Sequence, residues 1–348
     1  MTSSQNENTP QSSKKRNSKK TLIIVLISIA ALILALCAAL IILITVGKHG
    51  LHSGDMQVSA PEDVSATETE DYIEYEGEKY TPNKNIISVL FLGVDKKNIN
   101  DEKNAGANGQ ADAIFLACFD TKTGSIKIIP INRDTMADIS LYSSEGNYSG
   151  TKNEQICLSY AYGSTAEASC ENVKKDVSRL LCGVNISSYV AIDLKGVSAV
   201  TDIIGGVSLT SIETIGSFKE GQTVTLKGEK AVEYIQKRGN DIEAATRRML
   251  RQKQFLTAFA SAAGNQLLSD FSKLGTFYNT AIKYTLTDID FAEATYLAKC
   301  CLTTNLGSSI DYISIEGNAV AGEEHVEFYA DNNSIYKAVL ECFYTKVE

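Results

Sequence analysis

A chain of 348 residues with 44% apolar content has ample material for one large core or two small ones. Its formal charge of −9 is unevenly spread: residues 1–20 hold five basic side chains against Glu7 alone, a local +4, which leaves −13 on the remainder. An anionic body argues against nucleic acid as a partner, since that binding needs a basic face. Three scattered histidines, His49, His52 and His325, are too few for a histidine-based metal site or catalytic triad.

Thr21 to Gly47 carries no charged residue over 27 positions. As a helix at ~1.5 Å per residue it would run roughly 40 Å, against a hydrocarbon core of about 30 Å. The stretch is too long for a cleaved signal peptide, so it is expected to be a retained single-pass anchor. The basic residues 1–20 then stay in the cytoplasm and the chain after Lys48 lies outside the cell. Residues 51–79 contain nine acids and one lysine, and residues 48–85 are expected to form a solvated acidic stalk.

A folded domain is expected over 86–348. Ile87–Val94, Ala113–Phe119 and Ser125–Ile131 are continuous apolar runs, the pattern of strands in a sheet covered on both faces. Thr121–Gly124 supplies a hairpin-like turn between the last two. Helices are expected at Glu167–Leu181, Lys195–Ile204, Gly228–Lys237, Ile242–Ala263, near 266–282 and 288–303, and at Ser334–Tyr344, with Asp331 as a candidate cap. Strands are expected at Tyr189–Leu194, from Val207, and near 309–315 and 324–330. The fold class is α/β: one α/β/α sandwich around a mixed sheet. Seven cysteines follow Cys37. Their odd number leaves at least one unpaired, and Cys157–Cys170 is a plausible disulfide. Cys118 and Cys182 sit in apolar runs and read as buried fillers.

Charge appears where neutral residues would suffice. Asp95 closes one apolar run, Asp112 opens another, and Arg133-Asp134 follows a third. Arg248, Arg251 and Gln252 share one helix face by spacing. Two acids at strand ends suit a hard divalent cation, Mg²⁺ or Mn²⁺, and guanidinium forks suit phosphate oxygens. Separately, each of these signals is also what turn caps, a surface ion pair and a solvated helix face produce.

Taken in order, the motifs GVD, AD-x-I, NRDT, YAYG, IDLKG, IIGGV, LKGEKAVEYIQKR and RRMLRQ resemble the LytR–CpsA–Psr family from about Ile86 to at least Phe255. The resemblance implies an α/β/α sandwich with a hydrophobic pocket for a polyprenyl chain. The implied activity is transfer of a glycopolymer from polyprenyl pyrophosphate to peptidoglycan, forming a phosphodiester. Asp95 and Asp112 would hold Mg²⁺. Arg133, Arg238, Arg248 and Gln252 would contact the pyrophosphate, with Arg251 supporting them. Asp112 or Asp134 would take the acceptor proton, while Leu90, Phe115 and Ile129 would line the lipid tunnel or serve as plain core.

The chain departs from the family pattern at Gln110 and Gln236, where arginine is usual, and at Ala245, where an acid is common. Gln110 and Gln236 are expected to meet the pyrophosphate with amide donors instead. These departures keep a second reading open, a non-catalytic polyprenyl-phosphate-binding or regulatory envelope protein.

Overall fold

The computed structural model describes residues 38–51, 58–69, 71–96, 98–99, 109–237, 239, 244–302, 310–322 and 325–347. Residues 38–51 form a helix, α1. Three short strands follow, β1 (Ala66–Glu68), β2 (Ile73–Tyr75) and β3 (Glu78–Pro82). Next come the long strands β4 (Ile86–Val94), β5 (Ala111–Asp120) and β6 (Ile126–Ile131), then the hairpin β7 (Met136–Tyr142) and β8 (Tyr148–Gln155). A 3-10 segment, Ile156–Tyr162, leads to α2 (Ala166–Leu180), β9 (Ser188–Ile192) and α3 (Leu194–Ile203). Strands β10 (Val207–Thr210) and β11 (Thr223–Leu226) precede α4 (Glu229–Gln236), α5 (Ala244–Ser269) and α6 (Lys273–Ala281). The chain continues through β12 (Thr285–Thr287), α7 (Phe291–Leu302), β13 (Ile310–Tyr312), β14 (Gly317–Ala321) and β15 (Val326–Ala330). It closes with α8 (Asn332–Phe343) and β16 (Tyr344–Val347).

The central sheet has the order β12-β9-β4-β5-β6-β13 and is mixed. Strand β4 runs parallel to β9 and antiparallel to β5, and β13 runs parallel to β6. Alternation along β4 explains why its residues are apolar throughout. Leu90, Leu92 and Val94 enter the core shared with α2 and α8, while Ile87, Val89 and Phe91 face the opposite layer with Tyr296 of α7. Leu90 and Ile129 are fully buried on the first face, so they are core there. Phe115 lies on the second, beside Leu256 of α5. A satellite core joins α3, the β10–β11 hairpin, α4 and α5 around Phe218 and Tyr234. Asp331 caps α8, its carboxylate accepting from Ser334 N at 2.8 Å.

The described residues 58–69 and 71–85 of the segment expected as a stalk are folded. Strands β1, β2 and β3 form a four-stranded sheet with β16, so the early and late parts of the chain are stitched together. Val58, Val64, Ile73 and Tyr75 are buried in the main core. The acids misled because composition ignores parity: along β2 the burial alternates, Ile73 and Tyr75 inward and Glu74 outward. Glu68 is used internally, its Oε1 accepting from Ala60 N at 2.7 Å and Tyr336 OH at 3.0 Å.

Of the expected anchor, residues 21–37 lie outside the described residues, as does the basic tail. Among the described residues no helix is long and apolar enough to cross a membrane. The C-terminal end of α1 packs onto the domain. Leu51 is buried with Ile87 and Val89, and a Cβ at Gly47 would collide with the Ala292 carbonyl oxygen.

The expected Cys157–Cys170 disulfide is absent: both residues are reduced thiols. Cys118 is buried and Cys182 is half-buried. Burial pushes the Cys170 and Cys301 thiols up to about 12 and that of Cys182 up to about 11. In the unfolded chain a thiol titrates near ~8.5. The fold therefore holds these groups neutral, and their contribution to stability is complete below that value and lost as pH rises toward the folded ones. Thermal denaturation is expected to show Tm falling from about pH 9 upward, with a shallower fall in Cys170→Ala. Equal pH slopes in the two proteins would count against this account.

Candidate active site

Three segments distant in sequence meet at one end of the central sheet. On β4, Gly93 approaches β5 so closely that a Cβ there would lie 3.0 Å from Ala113 Cβ. The register shifts at this point: Gly93 pairs with Ala113 and Val94 with Ala111, so Asp112 falls in a bulge. Bulges re-aim side chains, and this one turns Asp112 toward the loop after β6. That loop is a tight Asn132–Thr135 turn, with Asn132 Oδ1 accepting from Asp134 N at 3.0 Å and Asn132 O accepting from Thr135 N at 3.0 Å. The turn holds Arg133 over the sheet end.

The Arg133 guanidinium is gripped from every side. Nη1 donates to Asp112 Oδ1, and Nη2 donates to Gln110 Oε1 at 2.5 Å and to Cys157 Sγ at 3.3 Å. Nε lies 3.2 Å from Asp134 Oδ1. From α5, Arg248, only 5% exposed, brings Nη1 to 3.8 Å from the other oxygen of Asp112. One turn further on, Gln252 Nε2 donates to Ile235 O at 3.3 Å. Two guanidinium groups thus flank a single carboxylate. Asp112, Arg133, Arg248, Thr246, Met249 and Gln252 line a narrow crevice of about 20 Å³, room for roughly one water.

Other expected site residues lie elsewhere. Asp134 does not line the crevice: its Oδ1 accepts from Gln155 Nε2 at 3.0 Å and sits against Arg133 Nε, so it orients that arginine. Arg251 is 1% exposed and turned away, with Nε donating to Tyr234 O at 2.8 Å and its other nitrogens to Glu213 and to Lys237 O. It clamps α5 to the end of α4. Gln236 is exposed at the last turn of α4. Asp95 is exposed beside the crevice strand, its N–H donating to Gln110 O at 3.3 Å. Arg238 lies outside the described residues.

Sequence reasoning missed Gln155, Cys157 and Glu213. Gln155 bridges Asp134 Oδ1 to Val326 O at 2.9 Å, and Cys157 lends its sulfur to Arg133, its thiol pushed up chiefly by burial. The cysteine was legible only as a pairing partner, and nothing in the order of residues links Glu213 to α5.

Residues 55–341 match the model of the LytR_cpsA_psr family. The chain belongs to this family. The match reaches further than the motif run from Ile86 to Phe255, taking in the strands before the central sheet. The polyisoprenyl-teichoic acid–peptidoglycan teichoic acid transferase TagV of Bacillus subtilis is 25% identical over 312 residues, 86% of this chain and 73% of the relative. The enzyme of the same description called TagU, from Oceanobacillus iheyensis, is 24% identical over 241 residues, 68% of each chain. Among solved structures, B. subtilis TagV superposes with a TM-score of 0.60 at 23% identity, covering 74% of this chain and 95% of that one. TagT bound to LI-WTA superposes at 0.56 with 20% identity, covering 80% and 97%. These LytR_cpsA_psr structures share the mixed α/β fold with its central mixed sheet.

Proposed function

We propose that this protein is a phosphotransferase of the cell envelope, moving a glycopolymer from a polyprenyl pyrophosphate carrier onto peptidoglycan. The observation that carries this reading is the convergence of Arg133 and Arg248, from separate segments, on the two oxygens of Asp112. Buried guanidinium groups need an anion. A pyrophosphate oxygen suits the place between them as well as the carboxylate does, and the forks match phosphate geometry. The names of the relatives supply the carrier and acceptor classes. The uncharged run from Thr21 to Gly47 and the +4 tail support a single-pass anchor with the domain outside the cell.

In the transfer, an acceptor hydroxyl oxygen bonds to the phosphorus on the glycan side. The bond from that phosphorus to the bridging oxygen breaks, and polyprenyl phosphate leaves with that oxygen. Arg133 and Arg248 stabilise charge gathering on the transferring group and on the leaving phosphate. Asp134, Gln110 and Cys157 keep Arg133 in place. Asp112 is the carboxylate that lines the crevice, and it receives the hydroxyl proton.

The donor set also fits a hard divalent cation. Asp95, just past the end of β4, and Asp112 on β5 lie at the same sheet end, and such ions take one or two carboxylates plus phosphate oxygens. Bound there, Mg²⁺ would neutralise pyrophosphate charge.

The test uses the full chain in detergent with lipid-linked donor, Mg²⁺ and peptidoglycan. Release of polyprenyl phosphate that depends on the acceptor is expected. Release without any acceptor would indicate hydrolysis. Tight binding without release would favour the non-catalytic reading suggested by Gln110 and Gln236.

A further inference from the structure

The crevice at Arg133 is too small for a sugar, yet any transfer needs one beside the phosphorus. A second cleft adjoins it. The two share the walls formed by Ile131, Asn132, Thr246 and Met249, and the second has a cavity volume of about 400 Å³. That lies within the range of small-molecule sites, roughly 300–1,000 Å³.

The cleft is bounded on its outer side by the β14–β15 hairpin, and this hairpin is tied to the turn that carries Arg133. Phe328 N donates to Asp134 O at 2.9 Å, and Phe328 forms a bridge with Thr135. Gln155 Nε2 contacts both Asp134 Oδ1, at 3.0 Å, and Val326 O, at 2.9 Å. The cleft and the guanidinium are thus set in register by backbone hydrogen bonds rather than by a loose loop.

Its lining has two characters. Phe328, Ile315 and Met249 give an aromatic and aliphatic floor, while Asn132, Ser314 and Glu316 supply polar groups. Asn132 spends its Oδ1 on Asp134 N, which leaves its amide NH₂ to donate. Gly317 makes room for the aromatic ring: a Cβ there would come within 2.7 Å of Phe328 Cζ. A pyranose has the complementary form, one C–H face that rests on an aromatic ring and a rim of hydroxyls that bond to amides and carboxylates. A prenyl chain would strand the polar groups, and an anionic polymer would face Glu316 in an already anionic body.

We infer that this cleft is a subsite for an uncharged pyranose ring adjacent to the transferring phosphorus, with Phe328 as its platform and Glu316 and Asn132 as its hydroxyl partners. The inference rests on the transfer reading above for the identity of the neighbouring phosphorus, and it concerns the sugar, which that reading leaves unplaced. The ring belongs either to the acceptor glycan or to the first residue of the donor glycan.

Two arms separate these sources, using full-length protein in detergent and the variants Phe328→Ala and Glu316→Gln, whose folding is checked by circular dichroism. In the first, a soluble uncrosslinked peptidoglycan glycan fragment is varied at saturating donor. A KM raised about ten-fold with kcat little changed assigns the ring to the acceptor. In the second, binding of sugar-bearing donor is compared with that of bare polyprenyl pyrophosphate. Loss confined to the sugar-bearing lipid assigns the ring to the donor. If neither arm moves in either folded variant, the subsite is wrong. Glu316 is exposed, and no hydrogen bond or ion pair of its side chain is seen among the described residues, so its variant keeps the test open should Phe328→Ala misfold. Ligand-detected NMR of the glycan fragment and of the donor's first sugar, added separately without lipid, reads the cleft apart from turnover. Binding of either that is lost in Phe328→Ala, in a protein that transfers nothing, would retain the subsite and sink the transferase reading.

Discussion

Replacing Arg133 with alanine is expected to empty the protein of phosphorylated lipid and to lower polyprenyl phosphate release by about 10²–10⁴-fold. A charge-assisted hydrogen bond contributes ~1.5–3 kcal/mol, and this side chain has two terminal nitrogens to offer a phosphate, Nη1 on Asp112 and Nη2 on Gln110 and Cys157, so ~3–6 kcal/mol is at stake. The loss should exceed the simple count, because Asp112 would then face the incoming phosphate without the Arg133 charge beside it, and Arg248 stands back at 3.8 Å. Arg133→Lys should rescue little: a point charge cannot reach Asp112, Gln110 and Cys157 together as the fork does. The readouts are mass spectrometry of co-purifying lipid and the release assay. Wild-type occupancy in the alanine variant would remove Arg133 from the phosphate site.

Arg251→Met is expected to act through stability, costing about 3 kcal/mol or more in urea unfolding. Removing one partner of a buried ion pair strands the rest. Here Tyr234 O and Lys237 O would lose the Arg251 donors, and Glu213 would be left to Arg247, whose Nε lies 3.1 Å away. Lipid occupancy per folded molecule should fall far less than in Arg133→Ala. A variant that remains stable but loses its lipid would restore Arg251 to the pyrophosphate contacts. The contrast matters because spacing alone groups Arg248, Arg251 and Gln252 on one face. A stripe spanning i to i+4 is wide enough to touch two environments: Arg248 and Gln252 reach the crevice, and Arg251 reaches the back of α4.

Much of the fold was readable from local pattern. Strands β4, β5 and β6 announce themselves as unbroken apolar runs because both of their faces are covered, and the helices from α2 onward carry their own periods, with side-chain caps at α2, α3 and α8. The pieces that escaped are those whose partners lie far away. Strands β1 to β3 are too short and too acidic to stand alone, and they exist because β16, more than 260 residues later by sequence, completes their sheet. The β7–β8 hairpin and β14 are likewise amphipathic or exposed, with no apolar run to mark them.

The candidate site divides along the same line. Order and residue type brought Asp112, Arg133 and Arg248 forward only jointly, since each alone is also what a turn cap, a surface ion pair or a solvated helix face produces. Asp134 came forward with them, yet its surroundings turn it into a brace for Arg133. Gln155 and Cys157 were silent in these roles because an amide meets Asp134 at 3.0 Å, and a thiol meets Arg133 at 3.3 Å, only once folding brings them together.

The amino-acid sequence by itself determined the layered α/β class, the family and the charged residues available to meet a phosphate, because periodicity and residue chemistry are local properties of a chain. Which of those residues share a crevice, which brace them and which merely clamp helices together was decided by the tertiary structure alone. The physical reason is that a guanidinium's role depends on the groups within a few ångströms of it, and those arrive from segments a hundred residues apart.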